Sequence, residues 1–426
     1  MLFTENNTME QNIHPLILGA FIRHERQKQN ISLGVLAKDV GITKSYLGSI
    51  EYGQKQPSEY ALNKIMHCLD IQFNTSLEYR KTMIQRLIEA MDAYAYSQKN
   101  KITDIYNMTL KENSYCSYAF LTSYIIKLHY LLYVKNDLQQ AFPIIEHIHK
   151  FKHILDKKEL NIFYLLMGSY YYKSKEFKTS KSFLISSLEN SFNNPNITGM
   201  IYYLLSINEQ YLNNYIDSFM HCEKAINCLK KSYITHRLLT LEIFKANCYS
   251  RTGAYNQALS RYEYVIKHAH NHQLYDIEKM AYDNIAWTYI KLRNHEKTIE
   301  YTKKSLSIKI DSHFVEIYTY IPYALYKLNQ IDDCLKEIEH NMKYLQNSYH
   351  QYFLKAIQAK IYQDNQSFVE NLTAFYDSLQ ENENDNEMLI FILEELLEHY
   401  KNINDYQNII RIQDMIIQKE HPFKAD

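Results

Sequence analysis

The stretch GITKSYLGSIEYGQKQPS, residues 41–58, sets four glycine or proline residues (Gly41, Gly48, Gly53, Pro57) around one short helical pattern. Thr43 stands where an N-cap belongs and Gly53 where a helix stops. Upstream, Ser32 is placed to cap SLGVLAKDV, which Gly41 ends, and LGAFIRHERQKQ forms an amphipathic helix before that. Two short helices joined by a turn containing glycine, with polar residues opening the second, make a helix-turn-helix, whose second helix enters the DNA major groove by its N-terminal end.

Working outward, five short helices are predicted over residues 16–72, after a tail at 1–15. Gly19, Gly34, Gly41 and Gly48, with Gly53 close behind, imply tight reversals there. The rest of the 426-residue chain is different: only 8 Gly and 6 Pro in total, and long periodic runs, so the protein is all-α. Its 40 Tyr supply core surface whose hydroxyls reach water at the edges. A formal net charge of −1 advertises no global attraction to nucleic acid or membrane, so any DNA contact must be local. Seven basic residues (Arg23, Arg26, Lys28, Lys38, Lys44, Lys55, Lys64) face five acids between 16 and 72, an excess that predicts a dimer presenting two domains. The six cysteines show no CxxC spacing and read as reduced small hydrophobes. No basic and apolar leader opens the chain, and the run AFLTSYIIKLHYLLYV at 119–134 carries Lys127 and His129, so a cytoplasmic protein is expected.

From residue 116 to 420 the chain repeats. Leu138, Phe177, Tyr215, Tyr255, His295, Ile331, Phe368 and Tyr406 occupy one position, at spacings of 39, 38, 40, 40, 36, 37 and 38. Small residues follow three later (Ser180, Ser218, Cys334), and preceding helices carry a small residue and a tyrosine: Gly168 and Tyr171, Ala246 and Tyr249, Ala286 and Tyr289. This is the pattern of tetratricopeptide repeats, slightly longer than the usual 34 residues. A right-handed solenoid of such repeats presents a concave face lined by first helices. Counting along those helices puts Tyr203, Gln210, Asn247, Asp283, Trp287, Tyr323 and Tyr326 on it, with Arg251, Asn284, Lys291 and Lys327 nearby. A carboxamide both donates to and accepts from a peptide backbone, so Asn247 and Asn284 are candidates for that role. Arg251, Lys291 and Lys327 are candidates to hold a carboxylate, and Trp287 reads equally well as core packing.

ISLGVLAKDVGITKSYLGSIEYGQKQPS resembles the Xre/lambda-repressor type of helix-turn-helix domain, in its Ala in the motif's first helix, its turn Gly, and its Leu-x-x-Ile-Glu-x-Gly followed by Pro. The resemblance implies base-reading positions at Lys44, Ser45 and Ser49, phosphate contacts near Thr43 and Lys55, and an internal ion pair of Arg26 with Glu51. Two positions depart from the pattern: Gly48 stands mid-helix in place of Ser, and Leu33 stands where a Gln often contacts the backbone. With the repeats, the chain resembles the Rgg/NprR/PlcR/PrgX family of quorum-sensing regulators, most closely the NprR branch. That implies a cytoplasmic homodimer, or a tetramer, that binds promoter DNA and an imported short signalling peptide, with residues 73–115 as the linker between the two parts.

A second reading is a Rap-like protein-capture module acting on a response regulator of a phosphorelay, with Gln85 or Glu89 as candidate side chains. Catalytic residues, metal ligands and cofactors are expected to be none. The chain has no Gly-rich phosphate loop, no HExxH and no GxSxG.

Overall fold

The computed structural model describes residues 4–309, 315–382 and 386–420. Among them the secondary structure is helical throughout, with one isolated bridge between Asn74 and Ser117. The chain divides into two compact units, one made of residues up to Asn208 with Lys224–Ile234, the other of Glu209–Glu223 with the residues from Thr235 on.

The first unit opens with α1 (Thr4–Lys28), α2 (Leu33–Val40), α3 (Lys44–Glu51) and α4 (Glu59–Cys68). The segment read as a tail is thus helical from Thr4, residues 1–3 lying outside the described part. Four helices fall within 16–72, and the fifth, α5 (Leu77–Ala95), starts beyond that boundary. Ser32, Thr43 and Ser58 each accept the backbone N–H three residues on, capping α2, α3 and α4. Of the five glycines expected at reversals, only Gly41 (φ 79°) and Gly53 (φ 67°) turn the chain. Gly34 and Gly48 lie inside α2 and α3, and Gly19 lies inside α1 where that helix meets the end of α3. Gly53 is required twice, because a Cβ there would also stand 2.6 Å from Leu16 Cα.

The linker follows as α5 and α6 (Lys99–Lys111), then α7 (Phe120–Tyr130), α8 (Leu138–Lys150), α9 (Lys157–Lys173) and α10 (Phe177–Glu189). Arg80 of α5 donates to the buried Glu159 of α9 at 2.5 Å, fastening the linker to the repeat helices. The helix-turn-helix helices belong to this same unit. Phe21 of α1, fully buried, packs on Phe73 (4.5 Å between centroids) and Phe120 (5.6 Å), and His24 lies 4.2 Å from the ring of His147 on α8.

That His24–His147 contact makes the docking of α1 sensitive to acid. Burial, then Lys28, lowers His24 to about 4, and burial, then His24 itself, lowers His147 to about 3. Glu25 lies 3.4 Å from His24 Nε2, and the Tyr124 hydroxyl 3.3 Å from it. Both histidines are neutral in the folded unit and protonate near 6.5 once released. Stability from this contact is therefore complete above about pH 6.5 and falls as pH drops toward 4, by about 1 kcal/mol for each ring at pH 5.5. Thermal melts at pH 7.5 and 5.5 should show that loss, and His147→Phe should remove about half of it; a melt indifferent to pH in the parent chain would refute the assignment.

The remaining helices are α11 (Pro195–Tyr211), α12 (Tyr215–Leu229), α13 (Thr235–Arg251), α14 (Tyr255–Asn271), α15 (Tyr275–Lys291), α16 (His295–Ser307), α17 (Ile317–Lys327), α18 (Ile331–Met342), α19 (Gln351–Ile361), α20 (Asn365–Asn382), α21 (Asn386–Asn402) and α22 (Tyr406–Glu420). Each repeat is a helix pair closed by a residue of positive φ two positions before the second helix: Asn136, Lys175, Asn213, Gly253, Arg293, Asn329, Gln363 and Asn404. Asn visits this left-handed region at little cost, which explains its recurrence at the turns. Seven of the eight repeat residues open their helix. Phe368 does not: α20 begins at Asn365, three residues earlier, so that repeat is out of the expected register.

The small positions are fully buried, and where they carry a heteroatom it is used. Ser180 Oγ donates to Gly168 O at 2.7 Å and Cys334 Sγ to Pro322 O at 3.2 Å, each onto the facing helix twelve residues back. Ser and Cys replace Ala there because the close carbonyl gives the polar atom a partner.

Candidate nucleic-acid interface and ligand cavity

α3 is held from behind and open in front. Arg26 of α1 donates Nε to Glu51 Oε1 at 2.6 Å and Nη2 to Oε2 at 2.8 Å, and Nη1 to Ile31 O at 2.7 Å. Both side chains are buried, and the hydrogen bond that Arg26 donates to Glu51, outweighing burial, raises its already high pKa. This bidentate pair and the buried Leu47 and Ile50 fix the helix on α1 and the core.

On the other side Thr43, Lys44 and Ser45 are exposed at the helix N-terminus, where backbone N–H groups and the helix dipole favour an anion. Ser49 is half-buried and donates its hydroxyl to Ser45 O at 3.0 Å, so outward it offers acceptor lone pairs. Lys55 is exposed beyond the turn, its Nζ 5.9 Å from the Tyr46 ring centre. These five residues thus lie on or beside one open helix face. Val35 on α2 is 52% exposed, and the guanidinium of Arg23, counted above only among the basic residues, sits 5.3 Å from the ring of exposed Tyr52 and 5.0 Å from that of Phe151.

The second unit contains a cavity of about 1180 Å³, larger than an ordinary small-molecule site of roughly 300–1,000 Å³. Of the candidate peptide residues, Arg251, Lys291, Tyr323 and Lys327 line it. The others are engaged elsewhere. Asn247 Oδ1 accepts from the Tyr262 hydroxyl at 2.7 Å, Asn284 Nδ2 donates to Met280 O of its own helix at 2.7 Å, and Gln210 Nε2 donates to Phe244 O at 3.1 Å. Tyr203 is buried in the first unit, and Trp287 packs on Tyr320 (5.8 Å) and Phe391 (5.3 Å) as core. Asp283 is paired with Ser305, and burial, opposed by that hydrogen bond and by Lys279, raises its carboxyl to about 6.

The far wall of the cavity is α21, which sequence reasoning did not anticipate. Glu387, Glu394, Glu395 and Glu398 face the three cations, and the Tyr323 hydroxyl donates to Glu395 Oε1 at 2.7 Å. Burial lowers Lys327, but Glu395 and Glu398 outweigh it and hold its pKa above the ordinary lysine value. His295 at the rim is lowered, by burial first and then by Lys327. The signal was present as acids at i, i+7, i+8 and i+11 on one helix, a spacing that shares a face.

Comparison with known proteins agrees with both halves. The helix-turn-helix family HTH_3 matches residues 22–75. The transcriptional activator NprA of Geobacillus stearothermophilus is 19% identical over 405 residues, spanning 90% of this chain and 94% of that protein. The apo form of the quorum sensor NprR from B. thuringiensis matches with a TM-score of 0.67 and 14% identity, over 80% of this chain and 99% of its own. NprR in complex with its cognate peptide NprX gives 0.61 and 15%, over 78% and 98%. A Rap protein complexed with competence and sporulation factor gives 0.64 and 13%, over 81% and 98%. At such identities the structural likeness establishes the fold, an all-α chain with an N-terminal helix-turn-helix and tetratricopeptide-like repeats. Among the described residues no helix is long and apolar enough to cross a membrane.

Proposed function

We propose that this chain, a helix-turn-helix regulator of the Rgg/NprR/PlcR/PrgX type, binds promoter DNA as a homodimer through α3 and is controlled by a short signalling peptide bound in the cavity beside α13, α15 and α17. The observation that carries the reading is the joint presence, in one chain, of a braced helix with an open polar N-terminus and a repeat cavity lined by cations. Lys44 donates to guanine O6 and N7, Ser45 and Ser49 read base edges permissively, and Thr43 and Lys55 meet phosphates. Arg251, Lys291 and Lys327 hold peptide carboxylates. Peptide selects one arrangement of the paired reading helices by binding it better than the other, and α5 and α6 carry the change.

The test is fluorescence anisotropy of the purified protein on fragments of its own upstream region, across salt, with Lys44→Ala/Ser45→Ala beside it. Saturable, salt-dependent binding that weakens about ten-fold or more in the double variant is expected. Both side chains are exposed, so folding is unaffected; equal affinity of parent and variant on the tightest fragment would refute α3 as the reading helix.

A second reading is supported by the likeness to the Rap protein: capture of a response regulator, for which Gln85 is exposed on α5 and Glu89 half-buried beside it. A pull-down returning a response regulator, indifferent to Lys44→Ala, favours that reading.

A further inference from the structure

Arg251, Lys291 and Lys327 end α13, α15 and α17, each four residues before the residue that opens the next helix. They are one repeat position in three consecutive repeats. α13 packs on α15 and α15 on α17, and packed helices lie about 8–10 Å apart, so the cations form a column with rungs of roughly that pitch.

Every rung is closed by α21, and the partners advance along it in order. Arg251 meets Glu387 at 3.5 Å, Lys291 meets Glu394 at 3.9 Å, and Lys327 meets Glu395 at 3.0 Å and Glu398 at 3.4 Å. Seven residues of helix span about 10.5 Å, so the step from Glu387 to Glu394 matches one rung. The cations are sheltered, with side chains 15–21% exposed, and so are Glu387 and Glu395 at 14% and 16%, whereas Glu394 and Glu398 are 55% and 54% exposed. The arrangement is lopsided at its exposed members: Glu394 and Glu398 can turn to water at little cost, but a sheltered cation left without an anion is costly.

We propose that α21 is a built-in competitor for these cations, and that the cavity's ligand is an extended peptide whose carboxylates, three residues apart, replace the α21 glutamates. An extended chain rises about 3.3 Å per residue, so a spacing of three covers one rung. The inference rests on the reading of the cavity as a peptide site and adds to it the ligand's charge pattern and the element it displaces. Binding frees the acidic face of α21, so occupancy is felt at the far end of the repeats.

The test uses two pools of synthetic heptapeptides, amidated at the C-terminus, with alanine and glycine backbones. One pool carries Asp at i and i+3, stepped along the chain, and the other carries Asn at the same places. Each is titrated calorimetrically into the full chain, into Glu394→Gln/Glu395→Gln/Glu398→Gln, and into the charge swap Lys327→Glu/Glu395→Lys, with melts confirming that each chain is folded. The Asp pool is expected to bind the parent, to bind the triple variant roughly ten-fold tighter once the competitor is gone, and to bind the swap more weakly than the parent. Equal or weaker binding to the triple variant overturns the competitor role. Equal binding of Asn and Asp pools overturns the charge pattern while leaving a peptide site; no binding of either pool to any chain overturns the proposal and the peptide reading together.

Discussion

Glu51→Gln is expected to loosen α3 by about 3 kcal/mol. Arg26 and Glu51 are 9% and 4% exposed, and their two parallel hydrogen bonds are the polar link between α1 and α3. Removing one partner of a buried pair costs about 3–5 kcal/mol, because the other charge stays buried and unpaired. Gln keeps the shape and one acceptor, and Arg26 keeps Ile31 O, which sets the expectation at the lower end. The chain divides into two compact units, so a readout local to α3 reports this loss most directly. Native-state hydrogen exchange at the α3 amides should accelerate about 100-fold, with the second unit unaffected. The double change Arg26→Leu/Glu51→Leu should recover most of the loss, since apolar replacement of a whole buried pair is often neutral. If exchange in α3 is unchanged in Glu51→Gln, the pair is decoration and the helix is held by Leu47 and Ile50 alone.

Legibility in the sequence followed the range of the interactions. The caps Ser32 and Thr43 and the stop at Gly53 were readable because capping is decided within four residues. The repeat was readable because one position recurs eight times, yet Phe368 was aligned with residues that open their helices although its own helix starts at Asn365. An aromatic at the wrong position looks like an aromatic at the right one. The recurrent Asn at 136, 213, 329 and 404 was the better ruler, since it marks the turn itself. The cavity divides the same way. Arg251, Lys291 and Lys327 could be placed by counting along helices, but their partners on α21 lie 68 to 136 positions away, and charge pairing at that separation leaves no periodic trace. Asn247 and Asn284 were chosen for their chemistry, and their neighbours Tyr262 and Met280 already use one end of each carboxamide.

Gly19→Ala and Gly48→Ala make the same chemical change within thirty residues of each other and should have opposite signs. A Cβ at Gly19 would stand 2.1 Å from Ile50 O, 2.9 Å from Glu51 O and 3.0 Å from Glu51 C. These are backbone atoms at the end of α3, so no rotamer can relieve the contact and α3 itself must shift. Overpacking costs about 1–3 kcal/mol where side chains yield, and more where they cannot. We expect about 4 kcal/mol, less about 1 kcal/mol returned by the better helix propensity of Ala, a net loss near 3. At Gly48 the nearest atom is Leu33 Cδ2 at 3.8 Å, an ordinary contact, and the site lies mid-helix with φ in the normal region. There Ala should stabilise α3 by about 0.5–1 kcal/mol. Exchange at the α3 amides reads both. Slower exchange in Gly48→Ala with faster exchange in Gly19→Ala locates the brace of α3 at its contact with α1. Acceleration in both variants would mean that α3 depends on glycine for a bend of its own, and the rigid presentation of Lys44 and Ser45 would fall with the brace.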